Sequence, residues 1–324
     1  MADLVLITGA CGFVGRHLSA SLEADGVAWL GLDRQEAVDN DSRDAELIGH
    51  DLGAGHGDAP RRLAELMSER EVTRVVHLAG QSSAGASFQD PVGTLRANLH
   101  GTVELLEALR HLRQDGVAPP TTLAVGSAEE YGAAARPDRP CREDDPILPI
   151  SPYGTSKAAA TLLCGQYHRS FDLPVIAVRA FSHTGPGHDA RFVFPSFAAQ
   201  IASIEAGCAE PVLRVGDLSP NRDFTDVRDV VRAYRALLTS GVAGQVYNVC
   251  SGSSLTIQDG LDILLGLSSV SVRVQPDPAR MRPVDIPCLV GDSTKLIQAT
   301  GWSAGLDFSD TLRDLLEVAR RDLP

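Results

Sequence analysis

Short apolar runs of strand length alternate with longer stretches of helical period through the first half of this 324-residue chain. The segments "LVLITG", "VAWLGLD", "RVVHLAG", "TTLAVGS" and "PVIAVRAF" are apolar on both parities, which predicts strands buried on both faces. Between them lie "GRHLSASLEADG", "NLHGTVELLEALRHLRQ" and "KAAATLLCGQYHRSF", with apolar residues three and four apart, which predicts amphipathic helices. Strands separated by helices predict βαβ units, hence an α/β fold with a doubly wound parallel sheet. After about residue 182 the rhythm loosens. "SHTGPGHDARF" reads as a loop, "FPSFAAQIASIEAG" as a helix, and "DPARMRPVDIP" is proline-rich. "DVRDVVRAYRALLTS" followed by "QVYNVCS" returns once more to helix and strand. The expected division is a nucleotide-binding domain of residues 1–181 plus about 225–250. A smaller, interwoven C-terminal lobe takes about 182–224 plus 251–324.

Composition narrows the function classes. Hydrophobic residues make up 44% of the chain, enough for a sizeable core. A net charge of −13 argues against a nucleic-acid partner, because nothing offsets repulsion from a polyanion. The opening "MADLVLITGACG" meets glycine at once without a basic leader, so neither a signal peptide nor a membrane span is expected. Six scattered cysteines and nine histidines lack metal-ligand spacing, which predicts reduced thiols, a cytoplasmic location and no metal.

The chemistry begins in "LITGACGFVGRHL". Gly9, Gly12 and Gly15 fall between a predicted strand and a predicted helix, where close backbone approach and a helix N-terminus suit a dinucleotide pyrophosphate. The second strand ends in Asp33, whose carboxylate would meet an adenosine ribose. This is a Rossmann-type arrangement, and it calls for NAD(P)(H). Asp33 favours NAD(H), and Arg34 beside it leaves NADP(H) open. Asp51, in "GHDLG", is a candidate for the adenine end or a plain strand-end aspartate. With Phe13, Val14, Leu52, Leu78, Ala79 and Gly80 these residues form the candidate cofactor set.

"SPYGTSKAAA" puts Tyr153 and Lys157 four apart, on one helix face. A nearby ammonium favours the phenolate, so such a tyrosine can exchange a proton with an alcohol or sugar oxygen. Ser127, at the end of "TTLAVGS", lies at the carboxyl edge of a predicted parallel strand, where ligands bind in such sheets. A non-catalytic nucleotide sensor would not need this set.

The ordered motifs "TGACGFVG", "HLAGQSS", "NLHGT", "GSAEEYG", "SPYGTSK", "HTGPG", "RDFTDVRDVVRAY", "YNVCSG" and "RPVDIP" resemble the extended short-chain dehydrogenase/reductases that act on nucleotide sugars, over nearly the whole chain. The resemblance is nearest to the members that handle GDP-linked 4-keto-6-deoxyhexoses. It implies an NAD(P)-dependent reductase moving hydride to carbon 4 of such a sugar, with Ser127, Tyr153 and Lys157 as the catalytic set. Lys157 would lower the pKa of Tyr153 and hold the nicotinamide ribose. A 4,6-dehydratase or 4-epimerase with tightly bound cofactor and no net redox change would use the same parts. Glu129 corresponds to a carboxylate that removes a ring proton in related dehydratases, or would hydrogen-bond the sugar in a reductase. Arg222 and Arg282 correspond to arginines that clamp the nucleotide diphosphate, and Ser82 and Ser83 would face cofactor and sugar. Asn98 resembles a helix-bending asparagine behind the tyrosine, a solvent-facing asparagine being the alternative. Ser182 stands where relatives carry asparagine, which puts the seating of the diphosphate in question. The resemblance also implies a homodimer through helices at roughly 92–113 and 153–172, although the apolar stripe of "TVELLEALRHL" could equally pack on its own sheet.

Overall fold

A computed structural model describes residues 3–43, 45–55, 57–281 and 284–323. Strands β1 (Leu4–Thr8), β2 (Ala28–Asp33), β3 (Leu47–Gly49), β4 (Arg74–His77), β5 (Thr121–Ser127) and β6 (Val175–Ala180) join a last strand, Val246–Val249, in one sheet. Its spatial order is last strand, β6, β5, β4, β1, β2, β3, and every pairing is parallel. The unbroken apolar runs follow from this topology, since each central strand feeds two cores. Side chains alternate across a strand, so Val5 and Ile7 join Leu18, Tyr234 and Leu237 on one face. Leu6 packs on the other face with Leu63, Leu105 and Leu109. Helices Phe13–Ala24 and Val227–Ser240 cover the first face. Helices Ala59–Glu69, Gly101–Gln114 and Pro152–Phe171 cover the second.

Strand order reverses between β1 and β4, so a crevice opens at their carboxyl ends. The expected helix near 92–113 is interrupted: Pro91–Leu95 and Gly101–Gln114 flank a π-helical turn, Arg96–His100, which turns Asn98 inward. Its apolar stripe is spent on the chain itself, with Leu105, Leu106, Leu109 and Leu112 buried.

Beyond β6 the chain builds a separate small core. Phe194, Phe197, Ile201, Leu261, Leu264 and Leu312 meet where helices Val193–Glu205, Ile257–Leu267 and Phe308–Arg321 pack together. Short strand pairs surround it: Val212–Val215 with Arg273–Pro276, and Asn221–Arg222 between Leu255–Thr256 and Cys288–Leu289. Ser182–Thr184, expected as loop, is a three-residue strand parallel to Phe224–Asp226. An element that short carries no periodic signal of its own. Among the described residues no helix is long and apolar enough to cross a membrane.

Candidate active site

The crevice is shaped first by its glycines. Gly9 turns the exit of β1 with a φ of +74°, and a Cβ there would lie 2.8 Å from the Ala79 amide nitrogen. The exits of β1 and β4 therefore pinch together. A Cβ on Gly15 would lie 2.4 Å from the Gly9 carbonyl oxygen, so the helix Phe13–Ala24 can begin hard against the loop only with glycine there. Its N-cap, Gly12, supplies no side-chain acceptor, which leaves the first N–H groups of the helix for a ligand. Asp33 closes the other end. One carboxylate oxygen accepts from the Cys11 amide at 2.9 Å and the other from the Arg34 amide at 2.8 Å, holding the group at the edge of the crevice. Asp51 is exposed, and Leu52 is buried against Gly101. Glu104 fixes this loop by meeting His50 Nε2 at 2.5 Å and accepting from the Gly53 amide at 2.9 Å. Val14 faces the core. The Phe13 ring turns towards the later part of the chain and stacks on His188, with centroids 4.1 Å apart. Leu78, Ala79 and Gly80 line the exit of β4. Glycine loop, bare helix N-terminus and fixed carboxylate together suit a dinucleotide.

Tyr153 and Lys157 lie in the first two turns of helix Pro152–Phe171. Pro152 occupies the first helical position, and the Ser151 hydroxyl caps it by accepting from the Gly154 amide at 3.0 Å. The helix start docks on the Glu129 loop so closely that a Cβ on Gly154 would lie 2.6 Å from the Glu129 carbonyl oxygen. Burial pushes the Tyr153 phenol up to about 12, opposed by its hydrogen bond with Ser127 and reinforced by Glu129 and Glu130. Lys157 is 9% exposed and donates to the Val125 carbonyl at 2.9 Å. Burial pushes its ammonium down to about 8. The expected lowering of the phenol's pKa by Lys157 does not appear: burial raises it, and the ammonium is directed at the Val125 carbonyl. At neutral pH the phenol is protonated.

Asn98 lies behind this pair, buried, which excludes its solvent-facing alternative. It accepts from the Gln81 amide at 2.8 Å and donates to Ser156 Oγ at 2.8 Å, tying the β4 exit to the tyrosine helix. His77 bridges Thr8 Oγ1 (2.8 Å) and Thr102 Oγ1 (3.1 Å), and burial pushes it down to about 3, so it is neutral.

The residues expected at the sugar and diphosphate are more dispersed. Ser83 caps the short helix Ala84–Ser87 by accepting from the Ala86 amide, and Ser82 is exposed beside it. Ser182 is half-buried and lies level with Phe224. Arg222 is 5% exposed, and its guanidinium donates to Asp285 Oδ1 at 2.5 Å and to the Asn221 carbonyl at 2.9 Å. Arg282 lies outside the described residues. A cleft of about 560 Å³ is lined by Ser196 and Gln200 of helix Val193–Glu205 together with Arg214 and Arg280.

Sequence reasoning missed Glu130, Arg179 and Asn248, a buried polar group beside Ser127. The available signal was Arg179, a charge inside the otherwise apolar "VIAVRAF", which requires a buried partner.

An all-parallel sheet with a glycine turn at its switch point, and a tyrosine and lysine four apart beside a strand-end serine, define an extended short-chain dehydrogenase/reductase. The chain belongs to the GDP-mannose 4,6-dehydratase family, whose sequence profile matches residues 6–315. It is 36% identical to GDP-6-deoxy-D-mannose reductase of Pseudomonas aeruginosa over 98% of this chain and 97% of that one. It is 32% identical to dTDP-glucose 4,6-dehydratase of Streptomyces griseus, over 96% and 92%. Its structure is similar to that of RMD from Pseudomonas aeruginosa complexed with NADPH, with a TM-score of 0.85 and 35% identity over 99% of this chain and 100% of that one.

Proposed function

We propose that the chain is an NAD(P)H-dependent reductase of carbon 4 in a GDP-linked 4-keto-6-deoxyhexose, forming GDP-6-deoxy-D-mannose. The observation that carries this reading is Tyr153 and Lys157 on one helix beside Ser127 at the end of β5, on a chain similar end to end to GDP-6-deoxy-D-mannose reductase. The glycine turn and Asp33 would hold the dinucleotide, whose nicotinamide supplies the hydride when bound. Ser127 and Tyr153 would hold the carbonyl oxygen of carbon 4, and Tyr153 would donate the proton as negative charge develops there. Lys157 would hold the nicotinamide ribose. Arg222 and Arg282 would take the diphosphate, Ser82, Ser83 and Ser182 would line the sugar, and the cleft beside Arg214 and Arg280 has room for the nucleoside.

The second reading is a 4,6-dehydratase, favoured by the similarity to dTDP-glucose 4,6-dehydratase and by Glu129, which is near enough to act on the phenol electrostatically and could remove a ring proton. The two-part division at about residues 182, 225 and 250 belongs to the proposal, as does a homodimer through the segments at roughly 92–113 and 153–172. Leu162, 62% exposed on the second of these, supports such a surface. A cytoplasmic location agrees with six unpaired cysteines.

The test is to supply GDP-4-keto-6-deoxymannose with NADH or NADPH. Stoichiometric loss of reduced cofactor with a product two hydrogens heavier supports the reductase. Water loss from GDP-mannose without added cofactor supports the dehydratase instead.

A further inference from the structure

Glu130 is fully buried three residues beyond the strand-end serine. One carboxylate oxygen accepts from the Ser127 amide (2.9 Å) and from Thr161 Oγ1 (2.9 Å), and the other accepts from Arg179 Nε (3.0 Å). Ser127 ends β5, Thr161 belongs to the helix that carries Tyr153 and Lys157, and Arg179 belongs to β6. One carboxylate thus ties together the three elements whose register sets the catalytic geometry. Space is made for it at Gly126, where a Cβ would fall 2.2 Å from Glu130 Oε1. The pair continues outward. Arg179, 3% exposed, lies over the Tyr131 ring at 4.7 Å and donates to the Tyr131 hydroxyl (3.0 Å) and the Glu143 carbonyl (3.0 Å). Tyr131 donates to Asn248 Oδ1 (2.7 Å).

Packing alone does not require charge here. Well-packed apolar residues generally replace a buried ion pair at little cost in stability, so a pair retained beside a reaction centre invites an electrostatic role. We propose that Glu130, neutralised on its far side by Arg179, is a positioning residue that fixes Ser127 against the tyrosine helix and sustains the charge of Lys157. The proposal rests on the catalytic reading of Ser127, Tyr153 and Lys157. Several groups face this charge. Arg179 and Thr161 contact Glu130, while Lys157 feels Glu130 and Cys164. Tyr153 feels Glu129 as well as Glu130, and His77 faces Lys157 from β4. Glu130 acts on Lys157 against the burial that disfavours its ammonium.

The test reads Lys157 without relying on catalysis. Urea unfolding of Lys157→Met against its parent, across pH, gives the ionisation of Lys157 as an inflection in their stability difference. The inflection is expected at about 8 in the natural chain. In Glu130→Gln it falls by about one pH unit, because the supporting negative charge is gone, and in the double variant Glu130→Gln/Arg179→Met, which also loses the opposing positive charge, it falls in the same direction by a smaller amount. If Glu130→Gln does not fold, the double variant, with no unpaired buried charge, decides alone. An inflection that stays at about 8 overturns the proposal and leaves Glu130 a structural residue. For the active enzyme, kcat falls at least tenfold in either variant with KM within about twofold. Inactivity of the natural chain on every nucleotide sugar would fail the functional reading while leaving the inflection measurable.

Discussion

Lys157→Met should stabilise the protein at neutral pH while abolishing its activity. The Lys157 ammonium is 9% exposed and is pushed by burial from an ordinary 10.5 down to about 8. At a pH where both folded and unfolded chains hold the proton, that displacement costs about 3 kcal/mol of stability. The cost is fully present below pH 8. Between 8 and 10.5 the folded chain releases its proton first, so stability rises with pH, and above 10.5 the cost is gone. Methionine fills similar space without the charge but leaves the Val125 carbonyl without its donor, a loss of about 1 kcal/mol. The variant should therefore be more stable by about 2 kcal/mol at pH 7, and its advantage should shrink and reverse as pH approaches 10. Equilibrium urea unfolding of both chains at neutral and alkaline pH measures this directly. A variant that is less stable at pH 7, by an amount that does not change with pH, would refute the assignment of a strained buried charge.

Three further outcomes follow from particular contacts. Tyr153→Phe should lower kcat by about 10²- to 10⁴-fold while leaving cofactor affinity, followed by fluorescence titration, within about twofold. Gly15→Ala puts a methyl group 2.4 Å from the Gly9 carbonyl oxygen, so the loop must shift and dinucleotide affinity should fall at least tenfold in the same titration, with circular dichroism unchanged. Asp223, fully buried, accepts from the Ser251 and Gly252 amides (both 2.9 Å), from the Gly291 amide (3.3 Å) and from Ser251 Oγ (2.6 Å). Asp223→Ala strands these donors and should cost about 3 kcal/mol or more in chemical unfolding.

The sheet was legible because strands buried on both faces leave unbroken apolar runs, and because a glycine turn between strand and helix has few other uses. The spacing of Tyr153 and Lys157 likewise reported their shared helix face. What spacing could not report was the direction in which each group's proton affinity moves. That depends on burial and on the Val125 carbonyl, which β5 supplies from 32 residues away. The bend at Asn98 was legible through the family resemblance and not through spacing, since the hydrogen bonds that hold Asn98, to Gln81 and Ser156, exist only once β4 and the tyrosine helix have packed. Arg222 was legible as a charge suited to phosphate, but its engagement by Asp285 was not. The Glu130–Arg179 pair joins residues 49 apart in the chain, and neither residue's neighbours name the other. Beyond β6, strands of two to four residues carry too little pattern to read.

The central claim is hydride delivery to carbon 4 with proton donation from Tyr153. Its most direct test uses reduced cofactor deuterated at the transferable position, with GDP-4-keto-6-deoxymannose as substrate and nuclear magnetic resonance of the product as the readout. One deuterium at carbon 4 is expected for each cofactor oxidised, and with Tyr153→Phe the same label at a rate about 10²- to 10⁴-fold lower. A product without deuterium at carbon 4, or cofactor left unspent while the sugar loses water or inverts, would contradict it.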